Sequence, residues 1–420
     1  MPRRIEPELQ RLAPMKRKRV QMLDEEEDLA DLAILDQLDL TSQEREYLNK
    51  LPIREQRALI EEHLRLEQLS SQNSGTPLRY QILSLKADDR VKLRALELLQ
   101  HYQDDSDNSA TSRTALEQIC RIPWGTYHQL DGRVEQAQFL DQAYQTMNRV
   151  IYGQDQAKLE IIEFISNNLN NPTNTRVIGL CGPPGTGKTS LIKQGLSPTL
   201  SNRPVFYVSL GGAMDGTFLT GSQPVWKGSS CGRLVKALIE TKCMNPIIYF
   251  DELDKVSQTE KGNEIYDFLI HLSDPVQNSH IYDKFLGLEL DFSKCLFVFS
   301  YNEPSLINPI LLDRIRQIEL SGFTTEDLFF IARDYVLPKV AKQLDIGKFT
   351  ITDSAIAAIN AKAHQSDGVR SLIEVYYNLF SRIQVTQSLQ RSKSELRRFY
   401  PVKLGAPPLK ITSELVDRLL

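Results

Sequence analysis

The sequence predicts an α/β fold: a five-stranded parallel sheet covered on both faces, preceded by a helical N-terminal region and followed by a small helical domain. Three observations carry this reading. Five short apolar runs, at 176–181, 205–210, 246–250, 295–300 and 316–320, alternate with helix-length patterns, as strands buried on both faces do. Residues 182 to 189, Gly-Pro-Pro-Gly-Thr-Gly-Lys-Thr, form a glycine-rich loop between the first of these runs and a helical pattern. Beyond residue 325 the strand signals nearly vanish and helical patterns near 325–343, 354–363 and 368–389 follow.

Taken in order, residues 1–75 read as a charged, partly disordered tail with short helices. Lys16-Arg-Lys-Arg19 is followed closely by Asp24-Glu-Glu-Glu-Asp28, which reads as a solvated polyampholyte in preference to a nuclear-import address or nucleic-acid contact. Helical patterns follow from Leu29, Leu32 and Leu35, then after a cap at Thr41 with Glu44 three residues on, then beyond Pro52 with Leu59, Ile60 and Leu64 on one stripe. Residues 70–76 are a linker by composition. A helical neck spans 76–143, with a helix after Pro77 to about 102, another from Thr114, and Ile122-Pro-Trp-Gly125 interrupting. A long helix is expected from Gly132 to about Val150. The large α/β domain is placed at 144–324, the small helical domain at 325–390, and a polar tail at 391–420.

Composition narrows the function. The chain has 420 residues, 41% hydrophobic and 25% charged, enough for two or three packed units. A net charge of −4 exerts no general pull on nucleic acid or anionic membranes. The five cysteines, Cys120, Cys181, Cys231, Cys243 and Cys295, lack metal-type spacing and read as scattered reduced thiols. No apolar run approaches a membrane span and the N-terminus lacks a signal-peptide core, so a cytoplasmic location, or a host cytoplasm or nucleus, is expected. The six histidines are dispersed, which argues against a metal cluster.

The motif chemistry is specific. In the loop Gly182, Pro183, Pro184, Gly185, Thr186, Gly187, Lys188 and Thr189, backbone amides can cradle phosphates, Lys188 supplies a positive charge, and the Thr189 hydroxyl can hold Mg²⁺. Pro246-Ile-Ile-Tyr-Phe-Asp251-Glu252 delivers two carboxylates at a strand's C-terminal end, where such sheets keep their ligands. Asp251 suits Mg²⁺ held through water, and Glu252 suits polarisation of an attacking water, which points to hydrolysis of a nucleoside triphosphate. Asn302, ending Leu296-Phe-Val-Phe-Ser-Tyr-Asn302, could orient that water, although an asparagine after a strand also makes turns. Arg314 in Leu311-Leu-Asp-Arg314 lies at the domain's far edge. It could reach a neighbouring subunit's γ-phosphate in a ring, or form a surface ion pair; Arg316 is a rival.

Together these residues resemble the AAA+ superfamily of P-loop NTPases, narrowing to the ATPase module of Lon-type proteases. Val150-Ile-Tyr-Gly-Gln-Asp-Gln-Ala-Lys, Ser209-Leu-Gly-Gly212, Ser273-Asp-Pro-Val-Gln-Asn278, Leu337-Pro-Lys339 and Asp367-Gly-Val-Arg370 are similar to Lon segments and follow in the same order, over about residues 114 to 390. The resemblance implies that Tyr152 and Gly153 flank adenine and that Arg370 folds back onto the phosphates. It implies a homo-hexamer using ATP and Mg²⁺ to thread polypeptide.

The departures shape the expectation. No Ser–Lys peptidase pair is evident in the last thirty residues, so the chain resembles stand-alone Lon-like ATPases of large DNA viruses. Proteolysis is expected, if at all, from a separate protease or adaptor bound through residues 1–113. Lon's pore grip falls on Trp226 and Lys227, where an indole suits a sequence-blind grip and the lysine departs from the aliphatic residue of that family. A second pore loop is expected near Ser279 to Phe285, with Ile281 and Tyr282 exposed. The rival functions are a nucleic-acid translocase or loader, and a non-enzymatic subunit stabilised by ATP.

Overall fold

The computed structural model describes residues 42–52, 54–56, 58–60, 62, 76–103, 109–129, 135–170, 177–213, 215–225, 228–363, 368–390, 395–405 and 408–420. It divides into two units, Met1–Gln81 and Ile82–Leu420. In the first unit helix α1 (Ser42–Asn49) follows the expected cap position, and 58–60 is helical with Ile60 buried. The charged tail at 1–28, the helix expected around Leu29 to Leu35 and the linker at 70–75 lie outside the described residues.

The division falls inside helix α2 (Leu78–Ser84), after which come α3 (Asp89–Gln103) and α4 (Ser109–Arg121). The single helix expected over 77–102 is two. The amides of Val91 and Lys92 reach back to the Asp88 carbonyl and restart the helix, with Asp89 favourably placed in its first turn. Helices α3 and α4 pack together, burying Ala95, Leu98 and Leu99 on one and Leu116 and Ile119 on the other. At Ile122-Pro-Trp-Gly125 the chain turns, and the Trp124 indole N–H donates to the Ile119 carbonyl at 2.9 Å. The next residues are strapped to the base of the sheet. Met244 N–H donates to Thr126 O at 2.8 Å, and Asn245 exchanges two hydrogen bonds with the His128 backbone, at 2.7 and 3.0 Å.

Five parallel strands form the sheet: β1 (Val177–Cys181), β2 (Val205–Ser209), β3 (Ile247–Asp251), β6 (Leu296–Tyr301) and β7 (Arg316–Glu319), in the order β2-β3-β6-β1-β7. All five expected strands are present within a residue or two. The intervening β4 (Ile281–Asp283) and β5 (Leu288–Leu290) make a separate antiparallel hairpin. The register sets Val177 beside Phe297 and Ile247 beside Leu296, so the strands end level at the edge from which the glycine-rich loop emerges.

One face of the sheet, through Ile178, Leu180, Tyr249, Val298 and Ile318, packs against α5 (Gln136–Val150), α6 (Asp155–Asn170) and the helix after the loop, here α7. Helix α7 is continuous, its ends Lys188–Ser190 and Ser197–Thr199 joined by a π-helical stretch Leu191–Leu196. Met147 and Phe139 belong to this core, so the boundary drawn at 143/144 falls inside a helix that packs as one piece with the sheet. Alternate residues of the same strands, Phe206, Phe250, Phe297 and Phe299, face the other way, with Phe250 stacked on Phe299 at 5.0 Å. Helices α8 (Arg233–Thr241) and α9 (Glu260–Ser273) connect β2 to β3 and β3 to the hairpin.

Helix α10 (Pro309–Arg314) connects β6 to β7, and the chain after β7 is a helical domain with its own core. It holds α11 (Thr325–Ile331, a π stretch Ala332–Val336, then Leu337–Gln343), α12 (Asp353–Ala361) and α13 (Val369–Gln390), near the expected positions. Residues 391–420, read from sequence as a polar tail, contain folded structure instead. Strand β9 (Leu409–Ile411) pairs in parallel with β8 (Phe349–Ile351), and helix α14 (Ser413–Leu419) closes the domain. Leu409, Ile411, Val416 and Leu419 are buried in that core, and the Thr412 hydroxyl caps α14 by accepting from Leu415 N–H. Three-residue strands are too short to stand out against the prolines and charges around them.

Candidate nucleotide site

The site is assembled where β1, β3 and β6 end. Between β1 and α7 the loop curls with positive φ at Gly182, Gly185 and Gly187, a path that points successive amides into one concavity. Lys188, at the start of α7, aims its ammonium back into the loop. It donates to Gly182 O at 2.5 Å, Pro183 O at 3.2 Å and the Asn302 side-chain carbonyl at 2.7 Å. Burial lowers its pKa below the usual lysine value, and the nearby Cys181, Asp251 and Asp254 oppose that shift. The Thr186 side chain is buried and ties the loop by donating to Pro183 O, while Thr189 is exposed.

Asp251 ends β3 and is surrounded by donors. Ser300 Oγ donates to its Oδ1, the Glu252 amide reaches the same oxygen at 3.1 Å, and Tyr207 on β2 donates its hydroxyl to Oδ2. The Tyr249 hydroxyl lies 3.4 Å from Asp251 Oδ1 and 3.2 Å from Thr189 Oγ1, linking the two groups expected to hold a cation. Burial pushes the Tyr249 phenol up to about 12, so it remains a hydroxyl donor. Burial, then the bond to Asp251, raises Tyr207 above the ordinary tyrosine value. Among the described residues no group of three or more His, Cys, Asp or Glu side chains gathers as a metal cage. A hydroxyl and a carboxylate one tyrosine hydroxyl apart fit a hard cation that keeps waters and phosphate oxygens as its other ligands.

Glu252 follows in the left-handed region, φ 60° and ψ 47°, an uncommon conformation outside glycine. A short 3₁₀ turn, Leu253–Lys255, begins directly after it. Its exposed side chain rests over Gly211 in the loop after β2, where an added Cβ would come within 2.2 Å of Glu252 Oε2. Asp254 in that turn is buried and accepts from the amides of Asn302 and Glu303 at 3.2 and 3.3 Å, which fixes the end of β6.

A cavity of about 230 Å³ adjoins the loop, lined by Ile151, Tyr152, Gly185, Gly187, Tyr335 and Ile373 among others. Tyr152 lines one wall of this cavity, its ring stacked on Phe330 of the helical domain at 5.9 Å, while Gly153 stands next to it outside the lining. Lys158 holds this wall from behind: its buried ammonium donates to Asn148 Oδ1 at 2.6 Å and Ile151 O at 2.8 Å. The helical domain also reaches the loop, with Val369 N–H donating to Gly185 O at 3.2 Å. Arg370, the next residue of α13, is exposed.

Other expected residues lie elsewhere. Arg314 is away from the loop and donates to Ile270 O at 3.1 Å and Asp274 Oδ2 at 3.0 Å, while Arg316 pairs with the exposed Glu163 at 2.8 Å. Trp226 and Lys227 lie outside the described residues. Their flanks are pinned: Ser222 N–H donates to Ser230 O at 3.2 Å, and Gly232 N–H to the buried Asp283 at 2.8 Å. Of the second loop, Tyr282 is exposed but Ile281 is buried, because alternate residues of β4 face inward. Sequence reasoning missed Tyr207, Tyr249, Ser300, Gly211, Asp254 and Lys158. Asp254 carried a visible signal, three residues after Asp251, and Gly211 and Lys158 lay within segments singled out for their resemblance.

Residues 178–322 match the family described as ATPase family associated with various cellular activities (AAA). This chain carries a Lon-type AAA+ ATPase module. It is 32% identical over 298 residues to a Lon protease homolog of Acanthamoeba polyphaga mimivirus, covering 68% of this chain and 29% of that one. It is 33% identical over 290 residues to a mitochondrial Lon protease homolog of Yarrowia lipolytica, covering 68% and 24%. With Lon protease 4 of Sorangium cellulosum it shares 32% identity over 374 residues, covering 88% and 45%. The chain thus spans less than half the length of each of these relatives. The family supports ATP binding and an ATP-driven role. No helix among the described residues is long and apolar enough to cross a membrane.

Proposed function

We propose that this Lon-type module hydrolyses ATP with Mg²⁺ and, as a homo-hexameric ring, pulls on polypeptide segments to unfold or remodel them. The observation that carries the reading is the convergence of Lys188, Asp251, Glu252 and Asn302 at one edge of the sheet, with the helical domain hydrogen-bonded to the same loop through Val369. Lys188 and the loop amides would hold the β and γ phosphates. Thr189, and Asp251 through water, would hold Mg²⁺, whose charge draws electron density from the γ-phosphate. Glu252 would take a proton from the attacking water that Asn302 helps to orient, and Arg370 would face the phosphates from the helical domain. Because Val369 and Tyr335 bring the helical domain to loop and cavity, a change of phosphate occupancy there has a direct mechanical route to the rest of the chain.

The test pairs ATP turnover with unfolding of a tagged model protein by the wild type and Trp226→Ala. Retained turnover with lost unfolding is expected if the indole grips the threaded chain. Turnover stimulated by DNA but not by unfolded protein would overturn polypeptide as the substrate. Degradation of the model protein by the chain alone would place peptide hydrolysis in the same chain.

A further inference from the structure

The two oxygens of Asp251 are occupied differently. Oδ1 faces inward and meets Ser300 Oγ, the Glu252 amide and, more distantly, the Tyr249 hydroxyl. Ser300 and Tyr249 are almost wholly buried, so their hydroxyls cannot turn out into solvent. Oδ2 receives Tyr207, and Tyr207 is of another kind. Its side chain is 46% exposed, and it stands on β2, the edge strand of the sheet. Its ring touches Tyr249 in a tilted arrangement at 5.5 Å, and its backbone is held by the partner strand and by Arg233, which donates to its carbonyl at 3.3 Å. The hydroxyl can therefore rotate into solvent without disturbing the strand.

A hydrated divalent cation offers water protons to a carboxylate, the same kind of donor as a phenol hydroxyl. With Oδ1 committed, those protons must approach Oδ2. We propose that the Tyr207 hydroxyl is a displaceable stand-in for a cation-bound water on Asp251, and so sets the Mg²⁺ concentration at which the site holds nucleotide tightly. This rests on the reading of Asp251 as the residue that holds the cation. Tyr207 is a positioning residue: it keeps the carboxylate aligned, and the cation must replace it.

The test uses Glu252→Gln protein, to hold nucleotide without turnover, with and without Tyr207→Phe. Binding of a fluorescent ATP analogue is measured across a Mg²⁺ titration, with excess chelator as the zero point. Removing the competing hydroxyl should lower the half-saturating Mg²⁺ on the order of tenfold, the scale of one hydrogen bond to a charged group, and leave affinity in chelator unchanged. An unchanged Mg²⁺ requirement would overturn the proposal, and so would a raised one, which would mean that Tyr207 supports the cation. If no Mg²⁺-dependent binding is seen even with Tyr207 intact, the reading of Asp251 itself fails. Should Tyr207→Phe not fold, 3-fluorotyrosine placed at 207 in the otherwise unaltered chain reports directly. Its fluorine resonance should move on adding ATP analogue with Mg²⁺ and stay in place with analogue and chelator. A resonance indifferent to Mg²⁺ would equally sink the idea.

Discussion

The Lys188 ammonium donates to the side-chain carbonyl of Asn302 at 2.7 Å, joining the loop after β1 to the end of β6. Its other two acceptors are the backbone carbonyls of Gly182 and Pro183, so three neutral oxygens orient a charge that none of them neutralises. That suits a group whose counter-ion is to be a phosphate.

Lys188→Ala should weaken ATP binding by tenfold or more, about the loss expected when one charge-assisted contact goes. Asn302→Ala should leave the affinity nearly unchanged and lower turnover, since the amide is proposed to act on the water. Equilibrium binding of a labelled ATP analogue and steady-state phosphate release separate the two. Equal loss of affinity in both variants would show that Asn302 serves only to position Lys188.

Glu252 and Gly211 make a second pair. Glu252→Gln should bind ATP and not hydrolyse it, because an amide can hold water but cannot take its proton. Gly211→Ala should produce a milder form of the same defect: its new methyl group would stand where the Glu252 carboxylate now lies, and that side chain must move. Turnover should fall several-fold with ATP affinity intact. A Gly211→Ala enzyme as fast as wild type would mean that the present placement of Glu252 has no bearing on the reaction.

What was legible in the sequence follows from how the site is made. Strands buried on both faces leave continuous apolar runs, so Ile247 to Phe250 announced themselves, and the loop's glycines and Lys188 sit at fixed spacing. Tyr207 and Gly211 lie on and just after β2, and Ser300 lies on β6, all remote in sequence from β3. They meet Asp251 and Glu252 only because parallel pairing levels the ends of β2, β3 and β6. No local pattern marks a tyrosine on an edge strand as a partner for the carboxylate that ends another apolar run. Strand β9 was hidden for a related reason, since its two buried residues, Leu409 and Ile411, gain their meaning from β8 some sixty residues earlier.

Lys158 should prove necessary to the Tyr152 wall although it lies outside the cavity lining. Lys158→Met fits a buried site but leaves Asn148 Oδ1 and Ile151 O without their donor, and should weaken ATP affinity severalfold. Burial lowers the Lys158 pKa from 10.5 in spite of Asp155. The native chain therefore releases this proton before the unfolded chain does. The penalty for burying the charge is fully present below the folded pKa and fades as pH rises from there toward 10.5. In thermal melts across alkaline pH the wild type should gain stability relative to Lys158→Met as pH rises toward 10.5. A stability difference independent of pH would mean that Lys158 titrates as it does in the unfolded chain.

Arg314 is proposed to serve a neighbouring subunit, although in the single chain it is held by Asp274 and the Ile270 carbonyl. These contacts anchor the arginine to the end of α9, and they also hold the segment beginning at Asp274 in place. The Asp274 carboxyl lies below its ordinary range, chiefly because Val276 N–H donates to it and then because of Arg314. Acting in trans, Arg314 gives a result no cis role can: Arg314→Ala and Lys188→Ala chains, each inactive alone, should regain part of the wild-type turnover when mixed. At some mixed interfaces an intact loop then meets an intact arginine, whereas other interfaces carry both defects. Asp274→Asn should keep the fold and change turnover only if the anchored geometry matters at the interface. Mixed rings that form on a sizing column yet never recover activity would place Arg314 with its own chain, as a tie between α9 and α10.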